Sequence, residues 1–326
     1  MKILALTALP LLALTACAHA QTAPAADAAT STEVADASAA AATSEAPATA
    51  SATGARDAVA TDRIMVQTVG KGPDVILIPG LASSPDVWES TVAGVPGYRY
   101  HLVHVNGFAG RAPQANRGGV FIDPVADAIA DYVREQKLGK VTLVGHSLGG
   151  TLAMRIATRH PDLVGKLMVV DMLPFMGVMF GGPAATVESV TPTAVGLRTT
   201  LATALPDARK KNIETSIGNM VKDPAQRAAA ITHSLTSDQI MSAQAMYDLI
   251  TTDLRSDLGK YTGPMEVLWV YPPNAPVPEP VYKQVFEGAF AGAKQAKVKQ
   301  IPDSWHFIMW DQPEVFQQEL KAFLAG

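Results

Sequence analysis

Short continuous apolar runs alternate along this chain with segments whose apolar residues recur every three or four positions. Val75-Ile76-Leu77-Ile78 has no polar position at all, as in a strand covered on both faces. Ile64 to Val69, His101 to Val105, Lys140 to Val144, Leu167 to Val170, Val267 to Val270 and Val298 to Ile301 also read as strands. Between them, Ile122 to Glu135 puts Val125, Ile129 and Val133 on one helical face. Leu148 to His160 does the same with Leu152, Ile156 and Ala157. Val281 to Phe290 and Glu314 to Leu324 are two further helical patterns. This alternation predicts an α/β fold, a mostly parallel, doubly wound sheet with helices on both faces. Ligands of such sheets sit beyond the C-terminal ends of the strands.

The alternation breaks between about 172 and 264. That interval opens on a Met- and Phe-rich stretch, Met172 to Phe180, and continues with helical patterns near 193–204, 206–221, 224–232 and 237–255. An all-helical insertion between two strands is expected to form a cap; the bland alternative is further sheet-covering helices. Phe175 and Met176 would roof a pocket with adaptable apolar side chains, or simply pack the cap onto the body.

The pattern is different at the N-terminus. Met1-Lys2 precedes an apolar stretch, Ile3 to Leu14, that is too short to span a bilayer comfortably. Leu14-Thr15-Ala16-Cys17 has the form of a lipobox, and Ala18-His19-Ala20 is an alternative cleavage site. Residues 1–20 are therefore expected to be an export signal, with lipidation at Cys17 or cleavage after Ala20. Either route leads out of the cytoplasm, to a membrane-anchored lipoprotein facing the periplasm or to a periplasmic or secreted form. Residues 21–60 are alanine-rich with almost no bulky apolar residue, the composition of a disordered tether. Cys17 is the one cysteine of the chain, so the folded part holds without a disulfide. Residues 61–326 suffice for one large domain.

The chain carries 26 Lys and Arg against 30 Asp and Glu. Lys2 and Arg56 against Asp27, Glu33, Asp36, Glu45 and Asp57 account for most of that excess, so the domain is close to neutral. With no basic run, a nucleic-acid partner is not expected. Membrane association is expected only through the N-terminal anchor, and the oligomeric state is left open.

Candidate chemistry centres on Gly145-His146-Ser147-Leu148-Gly149, set between a strand pattern and a helix pattern. A serine at a sharp strand-to-helix turn exposes its hydroxyl at the head of a helix, which favours developing negative charge. Such a nucleophile needs a base, and the base an orienting acid. Of the seven histidines, His306 alone lies just past a strand end with a helix behind it. His146 is expected to point away from its neighbour's hydroxyl. Asp171, at the end of the strand after the serine's helix, is the expected acid; Asn274, Glu279 and Asp303 are the alternatives. Backbone N–H groups of Leu148 and of Leu81, in Pro79-Gly80-Leu81, are positioned to form an oxyanion hole. Trp305 joins Phe175 and Met176 as an expected substrate contact.

The Pro79-Gly80-Leu81 turn through Trp88, the Gly145–Gly150 motif, and His306-Phe307 through Gln312-Pro313-Glu314 together resemble the α/β-hydrolase superfamily over 61–326. The serine, acid, histidine order matches, although Pro79-Gly80 stands where many members have His-Gly. The resemblance implies a serine hydrolase but does not reach a substrate; the apolar cap entry, Met172 to Phe180, predicts a small, mainly apolar carboxylic ester, and no cofactor is expected. A proline-type aminopeptidase or amidase, or a silent binding lipoprotein, are the other readings.

Overall fold

The computed structural model describes residues 57–275 and 277–326. The export signal, Cys17 and residues 21–56 of the expected tether lie outside the described residues. Among those described, no helix is long and apolar enough to cross a membrane.

The chain begins with β1 (Asp57–Ala60), β2 (Ile64–Gly70), β3 (Asp74–Ile78), α1 (Glu89–Gly94) and β4 (Arg99–Val105). It continues through α2 (Ile122–Glu135), β5 (Val141–His146), α3 (Leu148–Arg159) and β6 (Val164–Val170). Five helices follow without a strand: α4 (Val178–Gly181), α5 (Val187–Thr203), α6 (Pro206–Met220), α7 (Pro224–Thr236) and α8 (Gln239–Thr251). The chain returns through β7 (Met265–Trp269), α9 (Glu279–Ala289), β8 (Ala296–Gln300), α10 (Ile308–Asp311) and α11 (Pro313–Ala325).

One sheet takes all of these strands in the order β1-β2-β4-β3-β5-β6-β7-β8. Pairing is antiparallel in β1–β2–β4 and parallel from β4 onward. The central strands are continuously apolar because their alternate residues feed two separate cores. In β3, Ile76 and Ile78 enter the core under α2, α3 and α9, while Val75 and Leu77 enter the one under α11. In β6, Leu167 and Val169 divide from Met168 and Val170 in the same way. Each such side chain, fully withdrawn from water, contributes about 1.5–3 kcal/mol.

The insertion between β6 and β7 straddles the sheet. Met241, Leu249 and Ile250 of α8 and Val190 and Ala194 of α5 join the first core; Ile217 of α6 and Ala230 of α7 join the second. The cap is thus packed on both flanks of the body.

Two boundaries differ from expectation. Residues 57–60, assigned above to the tether, form β1, with Asp57 opposite Thr68 and Ala60 opposite Met65. This edge strand is mostly exposed, so backbone pairing rather than apolar burial holds it. Helix α5 begins at Val187, before Pro192, because Thr186 and Ser189 form a reciprocal capping box. Glu188 and Pro192 are both exposed, so the carbonyl that Pro192 leaves without its donor faces water.

Candidate active site

The chain leaves β3 for β4 on one side and later returns to β5 on the other, so the sheet has its switch point between β3 and β5. Register brings Ile78 beside Gly145, His146 beside Val170 and Val170 beside Leu268. The C-terminal ends of β3, β5, β6 and β7 therefore share one edge of the sheet, the edge where ligands of such folds sit.

Ser147 lies at that edge as the residue between β5 and α3, with φ 53° and ψ −124°. Its N–H donates to the Val170 carbonyl at 2.9 Å. The turn is tight enough to require glycine: a Cβ on Gly145 would lie 2.1 Å from the Gly149 carbonyl oxygen, and one on Gly149 the same distance from that of Ile78. Close approach of α3 to β5 and β3 thus depends on two absent methyl groups. Leu148 is the first residue of α3, where backbone N–H groups lack intrahelical acceptors. The turn after β3 abuts the serine, since a Cβ on Gly80 would come within 3.1 Å of Ser147 Cβ. Leu81 follows that glycine, half-buried.

Asp171 continues β6 by one residue in a left-handed conformation, φ 50°. Its N–H donates to Leu268, and its Oδ1 accepts the Val270 N–H at 3.1 Å. Its Oδ2 accepts from His306 Nδ1 at 2.6 Å. A carboxylate only accepts, so Nδ1 of His306 carries a proton and donates it, the tautomer whose neutral ring has its lone pair on Nε2. The His306 side chain is 21% exposed and that of Asp171 10%, so the pair is shielded but not sealed.

His306 stands on the loop after β8, where Ile301 N–H still bonds to Trp269 and Asp303 turns the chain with φ 55°. Two groups that sequence reasoning passed over hold this loop. One is fully buried His146, which reaches the histidine loop. Its Nε2–H donates to the His306 carbonyl at 2.9 Å, and its ring lies 4.6 Å from the His306 ring and 4.7 Å from Phe307. Burial, with the neighbouring His306 adding to it, pushes its pKa well down and keeps it neutral. Its Nδ1 is buried with no hydrogen-bond partner and faces the Gly80 turn. The other group is Asp311, whose Oδ2 accepts the Trp305 N–H at 2.9 Å. The only sequence signal for His146 was its place in the motif; Asp311 gave none.

The remaining candidates lie elsewhere. Asn274 is exposed and bonds Asn219 on α6, Glu279 opens α9 and pairs with Gln300, and Asp303 offers its backbone carbonyl to Lys222 and Gln312. None of these three is joined to His306 by a hydrogen bond. Phe175 is fully buried in the core beneath the Arg255 guanidinium, 4.6 Å away, so its ring presents no surface to a ligand. Its role here is to pack the cap entry, which its full enclosure dictates. Met176 and Trp305 are half-buried, and Arg227 of α7 sits over the Trp305 ring at 5.8 Å. A flank cavity of about 380 Å³ includes none of Ser147, Asp171 and His306; among its lining groups, Asp123 and Arg155 already pair with each other.

The alpha/beta hydrolase family matches residues 75–319, and the chain belongs to it. It is similar to the pimeloyl-[acyl-carrier protein] methyl ester esterase of Aeromonas hydrophila, with 33% identity over 34% of this chain and 42% of that protein. It is also similar to esterase Rv0045c of Mycobacterium tuberculosis, with 31% identity over 32% of this chain and 35% of that one. The matching segments thus span about two-fifths of these relatives. In three dimensions it resembles a hydrolase from Pseudomonas aeruginosa, TM-score 0.68 at 13% identity, over 84% of this chain and 99% of the other. That last likeness concerns the fold alone.

Proposed function

We propose that this protein hydrolyses carboxylic esters through an acyl-enzyme on Ser147. In this reading Ser147 Oγ attacks the ester carbonyl while His306 Nε2 takes its proton. His306 then returns the proton to the departing alcohol, and water, deprotonated by the same nitrogen, releases the acid. Asp171 fixes the tautomer that makes Nε2 the base and stabilises the imidazolium. The Leu81 and Leu148 N–H groups hold the oxyanion, aided by the N-terminal end of α3.

The observation that carries this reading is the His306 Nδ1–Asp171 bond, formed by an acid at the end of β6, the strand paired with β5, whose own end leads into a serine with φ 53°. Asp171 has its other oxygen tied to Val270, so it is aimed and cannot swing to another partner. The esterase relatives support an ester over an amide.

Short-chain p-nitrophenyl esters test the proposal together with a fluorophosphonate probe. The wild-type chain is expected to turn over the esters and to be labelled at Ser147. Ser147→Ala should lose the label and at least about 10³-fold in kcat. Undiminished turnover in Ser147→Ala, or no turnover by the intact chain, overturns it.

A further inference from the structure

The corner between α6 and α7 touches the histidine loop at several points. Asp311 Oδ1 accepts the Lys222 N–H at 2.9 Å and the Asp223 N–H at 3.3 Å, while Oδ2 accepts the Trp305 N–H at 2.9 Å. One carboxylate therefore joins the main chain of the cap to the residue beside His306. Lys222 Nζ adds a bond to the Asp303 carbonyl at 2.9 Å, and the Arg227 guanidinium covers Trp305. Arg227 is itself fixed by the Val221 carbonyl at 2.8 Å. Both ends of the short segment 303–305 are thus held from the cap, and residue 306 follows directly.

We propose that Asp311 is a positioning residue: it fastens the cap corner to the loop carrying His306 and so fixes the imidazole against Asp171. The inference rests on His306 serving as the base. Its physical content is that three N–H donors from two chain segments converge on one carboxylate. A carboxylate offers acceptor sites on both oxygens, whereas an amide turns one of them into a donor. Asp311→Asn keeps the volume but puts an N–H against either Trp305 or the Lys222–Asp223 pair. The loop then shifts relative to Asp171, and a displacement of about 1 Å at a catalytic group costs on the order of 100-fold in rate.

The experiment combines kinetics with the downfield proton resonance of the His306 Nδ1–Asp171 bond, which is observable whether or not any ester is turned over. In Asp311→Asn, kcat is expected to fall about 10- to 100-fold with KM nearly unchanged. The Nδ1 proton is expected to move upfield or broaden, with far-ultraviolet circular dichroism unaltered. Lys222→Ala, which removes only the exposed ammonium from Asp303, should give a smaller change in the same direction. An unmoved proton and unchanged kcat in Asp311→Asn overturn the proposal, as does a change confined to KM, which would make the clamp a matter of the cap alone. If Asp311→Asn does not fold, Lys222→Ala decides, and an unmoved proton with unchanged kcat there overturns it. Absence of esterase activity in the wild type with an intact proton signal would count against the ester reading and leave the clamp standing.

Discussion

Asp171 shows how much a single residue can settle. Both of its oxygens are used, one by Val270 N–H and one by His306. Replacing it with asparagine keeps the shape but offers His306 an amide, which would stabilise the wrong tautomer or none. Asp171→Asn should lower kcat by about 10³- to 10⁴-fold, with binding of a substrate analogue largely retained. Asn274→Ala, whose side chain bonds only to distant Asn219, should stay within about threefold of wild type. The reverse ranking in the same ester assay would remove Asp171 from the site. From sequence, Ser147 and His306 stood out because motif and chain order both pointed to them. Asp171 competed with three alternatives because an acid's partner is set by strand register, which no local pattern reveals. The contact of His146 with the histidine loop is hidden for a related reason: its partner lies 160 residues further along the chain.

Among the elements, those legible in advance were the ones with much to bury. The β3, β5 and β6 patterns are unbroken because each side chain has a core to enter. β1 was missed because Asp57-Ala58-Val59-Ala60 buries little and is held by its ladder to β2. α1 and α10 are too short to show a period. The cap helices were visible, but their ties to the body were not. One of these is Asp248 on α8, whose Oδ2 accepts the buried Phe121 N–H at 2.5 Å, while its Oδ1 accepts from Gln244. It thereby caps α2 from another part of the fold. Burial pushes its carboxyl up despite these donors. Asp248→Ala leaves the Phe121 N–H without an acceptor, a penalty of about 1–3 kcal/mol. A urea titration should show that loss as a lower midpoint, and Asp248→Asn should lose less. A shift under about 0.5 kcal/mol in Asp248→Ala would show that α8 does not need this bond.

At the scale of the whole molecule, histidines kept neutral are expected to make stability fall in mild acid. Burial lowers the pKa of His101, His104, His146 and His233, that of His104 to about 4. An unfolded chain binds protons at these positions near pH 6.5, whereas the folded one does not until lower pH. The unfolded state therefore holds more protons in that window, and stability falls as pH drops through it. For His104 the window runs from about 6.5 to about 4 and is worth about 3 kcal/mol. His104→Gln, which can still donate to the Phe108 carbonyl, should flatten the dependence. Unfolding free energies from urea titrations at pH 7 and pH 4.5 should differ by about 2–3 kcal/mol less in the variant than in wild type. Parallel dependences would place the acid lability elsewhere.

Ser147 and Asp171 share a property that bears on how this chain can change. Both sit at positive φ, 53° and 50°, where a side chain costs about 1–3 kcal/mol and glycine costs nearly nothing. A sequence chosen on this backbone for folding alone would carry glycine at both positions. Thermal tolerance and reactivity therefore pull in opposite directions at the two places where the chemistry is proposed to reside. A library sorted only for heat resistance will enrich inert chains, so any programme to harden this protein must score turnover in every round.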